Sequence, residues 1–247
     1  MRLSLFLFAS ASTFAQGVIN DVTQLNPIPV ARVVTPTSIE QIVAEVKANP
    51  CPISIGGGRF SMDGQTATQG ALQLDMRQFD RVIDLDRQKK EITVQAGITW
   101  RRIQEFIDPH ELSLQVMQSC ANFTVGGALS VNAHGRYMGM GPAVLSVKSI
   151  RLVLANGDVV LATPDTNREL FYGAIGGYGA MGVIAEATLR LADNVKVERR
   201  TQLMPFTAYA DYFQKQVRGK TDIIFHNADM YPDAFESVRV YLLRENR

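Results

Sequence analysis

The stretch Ile55-Gly56-Gly57-Gly58-Arg59-Phe60-Ser61 decides how the rest of the chain is interpreted. It follows a short apolar segment with β propensity that begins at Pro52. Glycine has no Cβ, so it can take positive φ, and a run of three lets a ligand approach the backbone closely. Successive N–H groups can then form an anion nest. Arg59 adds positive charge and Ser61 adds a hydroxyl donor, so this stretch suits a phosphate or pyrophosphate.

Two commoner phosphate loops are excluded by the residues around these glycines. A P-loop needs a lysine after its last glycine, and none follows here. A dinucleotide fingerprint of the GxGxxG type opens a helix, but Ser61 takes the place of the third glycine and Met62 to Thr66 read as a turn. Asp75 lies at the spacing of a ribose-binding acid, which means little without that helix. A glycine-rich connection between two strands remains the alternative.

Bulk composition limits the classes of function. The 247 residues carry a formal net charge of +1 and 46% hydrophobic residues, which predicts one large domain, or one domain and part of a second. This charge gives no reason to expect a nucleic-acid partner. Cys51 and Cys120 are too few for a disulfide framework, and whether they pair is left open. The three histidines and two cysteines show no metal-ligand spacing, so no metal is expected.

The N-terminus has the pattern of a secretory signal peptide over residues 1–15. Met1-Arg2 is a short basic start, Leu3 to Ala11 is apolar, and Thr13 and Ala15 are small residues before a cut at Gln16. The apolar run is too short for a stable membrane span. We therefore expect export to the periplasm or the medium, or a cytoplasmic protein if this segment is not a signal.

The first glycine stretch is predicted to end a β-α-β unit. Pro29 to Val34 reads as a strand, and Thr37 with Glu40 reads as a capping box that opens an amphipathic helix. Asn49-Pro50 ends that helix, and Ile53 to Ile55 is the next strand. Ligands gather at the carboxyl ends of strands in α/β sheets, and this placement favours the phosphate interpretation.

A second informative stretch runs from Gln118 to Gly135. Thr124 is predicted to cap a helix start whose small residues, Gly126 and Gly127, let a flat ligand or another backbone lie close. Exposed N–H groups at this start would favour an anion. From the residues alone, His134 is interpreted as a structural hydrogen-bonding group.

The remaining elements predict an α+β chain. Thr99 caps a helix with Ile103, Phe106 and Ile107 on its inner face, and Trp100 is interpreted as a packing residue. Further strands are predicted at 71–75, 82–85, 91–96, 147–154, 159–162 and 183–191, a helix at 169–175, and a third glycine-rich turn at 176–182. After Asp193 the sequence pattern changes: strands are predicted at 195–204, 222–227 and 237–243, and a helix at 208–217. This change indicates the beginning of a second domain over 194–247.

Taken together, three of these segments resemble the flavin-binding domain of the vanillyl-alcohol-oxidase type, also called the PCMH-type FAD-binding domain. They are Ile55 to Ser61, then Thr124 to Ala128 with Asn132 to Gly135, and Gly179 to Ile184. The resemblance covers residues 26–193, and its nearest branch is the aldonolactone and alditol oxidases. It implies an FAD domain of two α/β subdomains, followed by the start of an α+β substrate domain that is incomplete here.

The resemblance also implies a cofactor-binding set. Gly56 to Ser61 would bind the FAD pyrophosphate, Ser119 and Thr124 to Gly127 would line the dinucleotide, and Asn132 to Gly135 would run close to the flavin ring. Val183 and Ile184 would contact FAD near its adenosine end. The full set is Gly56, Gly57, Gly58, Arg59, Phe60, Ser61, Met62, Ser119, Thr124, Val125, Gly126, Gly127, Asn132, His134, Gly135, Val183 and Ile184. No catalytic residue is assigned.

One residue departs from the pattern of the family. Many relatives place a histidine before the serine of the first loop and attach it covalently to the flavin, but this chain has Phe60 there. A phenyl ring has no nucleophilic nitrogen, so we expect non-covalent FAD.

The resemblance implies hydride transfer from a CH–OH group of a sugar-derived substrate to FAD, with O2 or another acceptor reoxidising the flavin. Two alternatives within the family remain: an FAD-binding fragment or subunit without its own catalysis, and an enolpyruvyl-sugar reductase. A nucleotide binder without flavin is a third.

Overall fold

The computed structural model describes residues 17–231 and 235–245, and the predicted signal segment at 1–15 lies outside them. The chain is α+β, as the sequence predicts. The helices are α1 (Ile39–Ala48), α2 (Trp100–Ile107), α3 (Val125–Ser130), α4 (Arg168–Ala174) and α5 (Phe206–Tyr212). The strands are β1 (Gly17–Ile19), β2 (Ile28–Val30), β3 (Arg32–Val34), β4 (Ile53–Gly56), β5 (Leu72–Asp75), β6 (Val82–Asp86), β7 (Glu91–Gln95), β8 (Leu112–Leu114), β9 (Val147–Val153), β10 (Val159–Ala162), β11 (Val183–Asp193), β12 (Val197–Pro205), β13 (Ile223–Met230) and β14 (Ser237–Glu245).

The first sheet is parallel and has the order β3-β5-β4. The predicted β-α-β unit is confirmed, with β5 inserted between its two strands and paired to both. Ile42 and Val46 of α1 pack against Leu72 and Leu74 of β5 in one buried cluster. Because the strands are parallel, their carboxyl ends meet at one edge, and Gly56 lies opposite Asp75 there.

The N-terminus of α1 differs from the prediction by one residue. Ser38, not Thr37, is the N-cap, and its hydroxyl accepts a hydrogen bond from the backbone N–H of Gln41 at 3.2 Å. Gln41 in turn accepts from the backbone N–H of Thr37 at 2.8 Å. Gln41 thus reaches the residue before the N-cap, and the predicted capping box of Thr37 with Glu40 was wrong.

The second sheet is antiparallel and follows the path β10-β9-β11-β7-β6, with β8 paired to the end of β11. The predicted hairpins at 86–90 and at Asn156-Gly157 are confirmed. Trp100 is a packing residue of α2, as predicted, and is buried with Ile103 and Ile107. Phe106 is 43% exposed, contrary to the prediction, because it lies about 100° around the helix from Ile107.

The third sheet, β12-β14-β13, is antiparallel and begins after β11 ends. Its helix α5 is shorter than predicted and continues as a π-helical turn over Phe213–Val217. A segment before β9 joins this sheet: Met138 donates its N–H to the carbonyl of Ile224, and the ring of Tyr137 lies 4.6 Å from that of Phe225.

Candidate cofactor-binding cleft

A cleft of about 290 Å³ opens at the carboxyl edge of the parallel sheet. Three segments form its walls: the glycine loop after β4, the loop that leads into α3, and the glycine-rich turn after α4. Ala96, Met76 and Ile184 also line it. Small-molecule sites occupy roughly 300–1,000 Å³, so the volume of this cleft lies just below that range.

The glycine loop is held against α3 by direct contact. The backbone N–H of Gly58 donates to the hydroxyl of Thr124 at 3.3 Å. A Cβ added to Gly57 would overlap that same hydroxyl oxygen. None of Gly56, Gly57 and Gly58 lies in the left-handed region, so these glycines are needed for close approach.

The start of α3 is less open than the sequence indicates. Thr124 is the N-cap, as predicted, but its side chain makes no capping hydrogen bond within the helix. Val125 donates its N–H to the carbonyl of Ile98 at 2.9 Å, and Gly126 donates to Ala96 at 2.7 Å. The expectation of exposed N–H groups was therefore wrong at these two residues, because the loop after β7 already satisfies them.

Arg59 is the left-handed residue of the glycine loop, with φ 60°. Its Nη2 donates to Oδ2 of Asp75 at 2.9 Å, and Arg77 donates from Nε and Nη2 to both oxygens of that carboxylate. Burial raises the pKa of Asp75, but hydrogen bonds from Arg77 and the charges of both arginines outweigh it, so the pKa lies below its ordinary value. Two arginines on one carboxylate leave one positive charge in excess at the rim of the cleft.

The segment between β1 and β2 supports the glycine loop from outside. Val22 donates its N–H to the carbonyl of Arg59 at 2.9 Å. Asp21 is buried and accepts hydrogen bonds from Thr23, from the amide of Asn26 at 2.9 Å and from the N–H of Gly64 at 3.4 Å. The Thr23 hydroxyl is the main reason why the pKa of Asp21 falls from its ordinary 3.8 to about 2.

Two buried polar atoms at the cleft have no partner among the described residues: Nε of Arg59 and the hydroxyl of Thr66. Among the same residues, Gly58 has the one backbone N–H from 57 to 61 that donates to a protein acceptor. Buried donors are normally satisfied, and phosphate oxygens accept from N–H and O–H groups alike. The residues present therefore fit a phosphate-bearing group, whose negative charge the excess arginine charge would also favour.

Phe60 lines the cleft and packs on Phe123, with ring centroids 4.7 Å apart. Gln118 also lines it, and its side-chain carbonyl accepts from the indole N–H of Trp100 at 2.7 Å. This hydrogen bond orients the Gln118 amide and leaves its two N–H donors for other acceptors.

The structure brings most of the predicted cofactor-binding residues together. Those that line the cleft are Gly56, Gly57, Gly58, Arg59, Phe60, Ser61, Thr124, Gly126, Gly127 and Ile184. Those outside its lining are Met62, Ser119, Val125, Asn132, His134, Gly135 and Val183. Val183 lines a neighbouring cavity that shares Ile55, Gly179 and Gly182 with the cleft. The binding role of each residue stays a prediction.

Several lining residues were missed in the sequence. They are Ile55, Gln65, Thr66, Met76, Ala96, Gln118, Phe123, Ala128, Ser130, Val131, Tyr178, Gly179 and Gly182. Gln118 lies in the predicted binding stretch at 118–135, and Tyr178 and Gly179 lie in the glycine-rich turn at 176–182. Thr66 and Met76 carry no local signal: Met76 directly follows β5, and the carbonyl of Thr66 accepts a hydrogen bond from the Gln73 side chain of β5 at 3.2 Å.

The histidines and cysteines lie apart from the lining. His134 is exposed, with Nδ1 3.3 Å from the carbonyl of Gly135. Burial lowers the pKa of His226, which accepts from or donates to the Tyr209 hydroxyl at 2.8 Å in the third sheet. Cys51 and Cys120 are exposed free thiols.

No group of three or more His, Cys, Asp or Glu side chains among the described residues could hold a metal ion. No helix in the same residues has the length and apolar character that crossing a membrane requires.

Comparison with known proteins gives a family. Residues 29–163, more than half of the chain, match the family described as FAD binding domain. L-gulonolactone oxidase of Bos taurus is 27% identical over 169 residues, covering 67% of this chain and 38% of the relative.

Two further relatives agree with this match. L-galactono-1,4-lactone dehydrogenase 2, mitochondrial, of Oryza sativa is 31% identical over 159 residues, covering 64% of this chain and 26% of the relative. An FAD-linked oxidoreductase of Gibberella zeae is 28% identical over 204 residues, covering 79% and 38%. The chain thus spans about a quarter to two fifths of the length of these relatives.

Proposed function

Because the chain belongs to the FAD-binding-domain family, we propose that it holds FAD without a covalent bond in the cleft at the carboxyl edge of β4. We propose further that it serves an oxidoreductase that acts on the CH–OH group of a sugar-derived substrate, such as an aldonolactone or an alditol. Residues 26–193 would form the cofactor-binding unit, and the part from 194 onward would contribute to the substrate pocket.

The observation that carries the proposal is the meeting of two unpartnered donors with a glycine loop. Nε of Arg59 and the Thr66 hydroxyl both belong to the cleft wall, next to backbone that glycine leaves accessible. The pair Arg59 and Arg77 supplies the excess positive charge. A pyrophosphate bridge has both the charge and the acceptor oxygens that this wall lacks.

The residues of the chain would then bind and orient the cofactor. Arg59, Thr66 and the N–H groups of the glycine loop would hold the pyrophosphate, and the Gln118 amide would donate to a polar atom farther along the cleft. Phe60 and Phe123 form an apolar part of the cleft wall. The flavin, when bound, would supply the redox chemistry by accepting a hydride from the substrate.

Non-covalent attachment rests on Phe60. Its ring lines the cleft at the position where many relatives carry the linking histidine. Carbon atoms of a phenyl ring do not form the bond that an imidazole nitrogen forms, so a link through residue 60 is excluded by its chemistry.

The substrate and the electron acceptor are proposed from the activities that the names of the similar proteins describe. The names of the relatives describe an oxidase of L-gulonolactone and a dehydrogenase of L-galactono-1,4-lactone. We propose a lactone or polyol of this kind as donor, and O2 or a protein or small-molecule acceptor for reoxidation.

The first test is the visible spectrum of the purified chain, before and after acid precipitation. Bands of oxidised flavin that move to the supernatant are the expected result. A colourless chain that also takes up no added FAD would contradict the proposal, and flavin that remains with the pellet would contradict the non-covalent part.

A second test separates catalysis from binding. Addition of L-gulono-1,4-lactone or a polyol under anaerobic conditions should bleach the flavin bands if the chain turns over by itself. Bound flavin that no donor bleaches, but dithionite does, would favour the alternative of an FAD-binding subunit.

Export is a separate proposal, since the segment that carries it lies outside the described residues. Intact-mass analysis of protein recovered from periplasm or medium should give an N-terminus at Gln16. Protein that keeps Met1 and stays in the cytoplasm would contradict export.

A further inference from the structure

Tyr178 stands out on the wall of the cleft formed by the turn after α4. Its side chain is 69% exposed although it lines the cleft, and its φ is 52°. Within the described residues, its ring forms no aromatic pair and its hydroxyl no hydrogen bond. A tyrosine rarely adopts the left-handed conformation, so the surrounding turn must hold it there.

The backbone around Tyr178 is fixed. Its N–H donates to the carbonyl of Ser130 at 3.0 Å, and Gly176 donates to Leu129 at 2.9 Å, so the turn is tied to the end of α3. Ala180 donates to the carbonyl of Gly177 at 2.9 Å, which closes the turn itself. The ring therefore stands at the cleft on a rigid support, and not on a freely moving loop.

The next residue brings the opposite wall close. A Cβ placed on Gly179 would lie 3.1 Å from Cδ1 of Ile55, which is the last apolar residue before the glycine loop. Tyr178 lines the same cleft as the predicted phosphate-binding backbone. Strained residues of this kind collect at ligand sites, where the ligand compensates for what the free protein lacks.

We propose that Tyr178 is a stacking platform for a planar aromatic ring of the ligand held in this cleft. The inference rests on the proposed function, and the ring is either the purine or the flavin ring of the dinucleotide. Stacking of a base on an aromatic side chain contributes enough to change affinity about tenfold. Tyr178 would therefore set the preference of the cleft for a nucleotide over a bare pyrophosphate.

The test compares Tyr178→Gly and Tyr178→Phe with the wild-type chain in titrations with FAD, ADP, FMN and inorganic pyrophosphate. We expect Tyr178→Gly to raise the Kd for FAD about tenfold, while Tyr178→Phe stays within about twofold because the ring is retained. The Kd for pyrophosphate should not change, since that probe has no ring. A selective loss for ADP would identify the purine as the stacked ring, and a selective loss for FMN the flavin.

A stability measurement distinguishes this role from a structural one. Glycine suits the left-handed backbone, so flavin-free Tyr178→Gly should melt no lower than wild type. Phe235→Gly is the matched control, because Phe235 is also an exposed aromatic at φ 52° but does not line the cleft. It should leave every Kd unchanged.

The remaining outcomes of these titrations contradict either the stacking proposal, the proposed function or both. Unchanged FAD and ADP binding in Tyr178→Gly, or an equal loss for pyrophosphate, would overturn the platform. A wild-type chain that binds ADP but neither FAD nor FMN would overturn the proposed function. The effect of Tyr178→Gly on the Kd for ADP would then decide whether Tyr178 is a stacking platform. Binding of none of the ring-bearing probes would overturn both.

Discussion

Gly57, in the loop at 56–61, and Gly179, in the turn at 176–182, are needed for different reasons. In the first, Gly57 permits close approach to Thr124, and the left-handed residue is Arg59. In the second, Gly179 itself has φ +83°, and its neighbouring atoms leave more room. Glycine in a sequence therefore marks a constraint on the backbone, but not which constraint it is.

Gly57→Ala should have the largest effect, because its Cβ overlaps the Thr124 hydroxyl in the contact between two walls. We expect a loss of about 3 kcal/mol in the free energy of unfolding, measured by urea denaturation, and loss of flavin uptake. Thr124→Ala should cost about 1 kcal/mol, for the hydrogen bond from Gly58.

The double variant sharpens this prediction. Gly57→Ala with Thr124→Ala should be less destabilised than the sum of the two single variants, since the second change removes the overlapping oxygen. Additive losses would show that the Cβ at residue 57 does not act through the Thr124 hydroxyl, which would contradict close approach as the constraint on Gly57.

Asp75→Asn should have the next largest effect on stability. It leaves Arg59 and Arg77 without their shared counter-charge, so we expect a loss of about 2 kcal/mol in the free energy of unfolding, measured by urea denaturation. Glu198→Gln breaks an exposed pair with Arg200 and is the control, with no measurable change expected. Equal effects in the two variants would mean that the partly buried pairs of Asp75 stabilise the fold no more than an exposed ion pair does.

Gly179→Ala should cost about 1–2 kcal/mol because an L side chain is strained at this φ. Gly179→Asn should cost less, although it is larger, since asparagine tolerates the left-handed region. The melting temperatures of the two variants show whether backbone conformation or space is the constraint. If Gly179→Asn is less stable than Gly179→Ala, space is the constraint at Gly179, and Gly57 and Gly179 do not differ in the reason for which glycine is needed.

The smallest expected effect concerns the support of the glycine loop by Asp21. Its pKa in the folded chain, about 2, is below its ordinary 3.8, so the ionised form stabilises the fold above about pH 4. That contribution is lost as the pH falls from 3.8 towards 2.

The measurement is the urea midpoint of wild type and Asp21→Asn across acid pH. The two chains should differ at neutral pH and converge as the pH falls through this window. A difference that does not depend on pH would show that the shape of Asp21, and not its charge, supports Arg59 through Val22.

The sequence alone determined the α+β class, the parallel unit around β4 and the hairpins, because periodicity and turn residues are local signals. It also indicated ten of the residues that line the cleft. The N-cap of α1 lies one residue later than predicted, because the Ser38 hydroxyl accepts from the N–H of Gln41 and the Gln41 side chain accepts from the N–H of Thr37.

Only the tertiary structure decided which groups meet at the cleft. Met76 reaches it because β5 pairs beside β4, and Thr66 is joined to β5 by the hydrogen bond from the Gln73 side chain to its carbonyl, and no local pattern encodes either contact. The N–H groups of Val125 and Gly126 are satisfied by carbonyls of another loop, which depends on how that loop packs. Spacing along the chain predicts an element, but the free donors of a site are those that packing leaves unpaired.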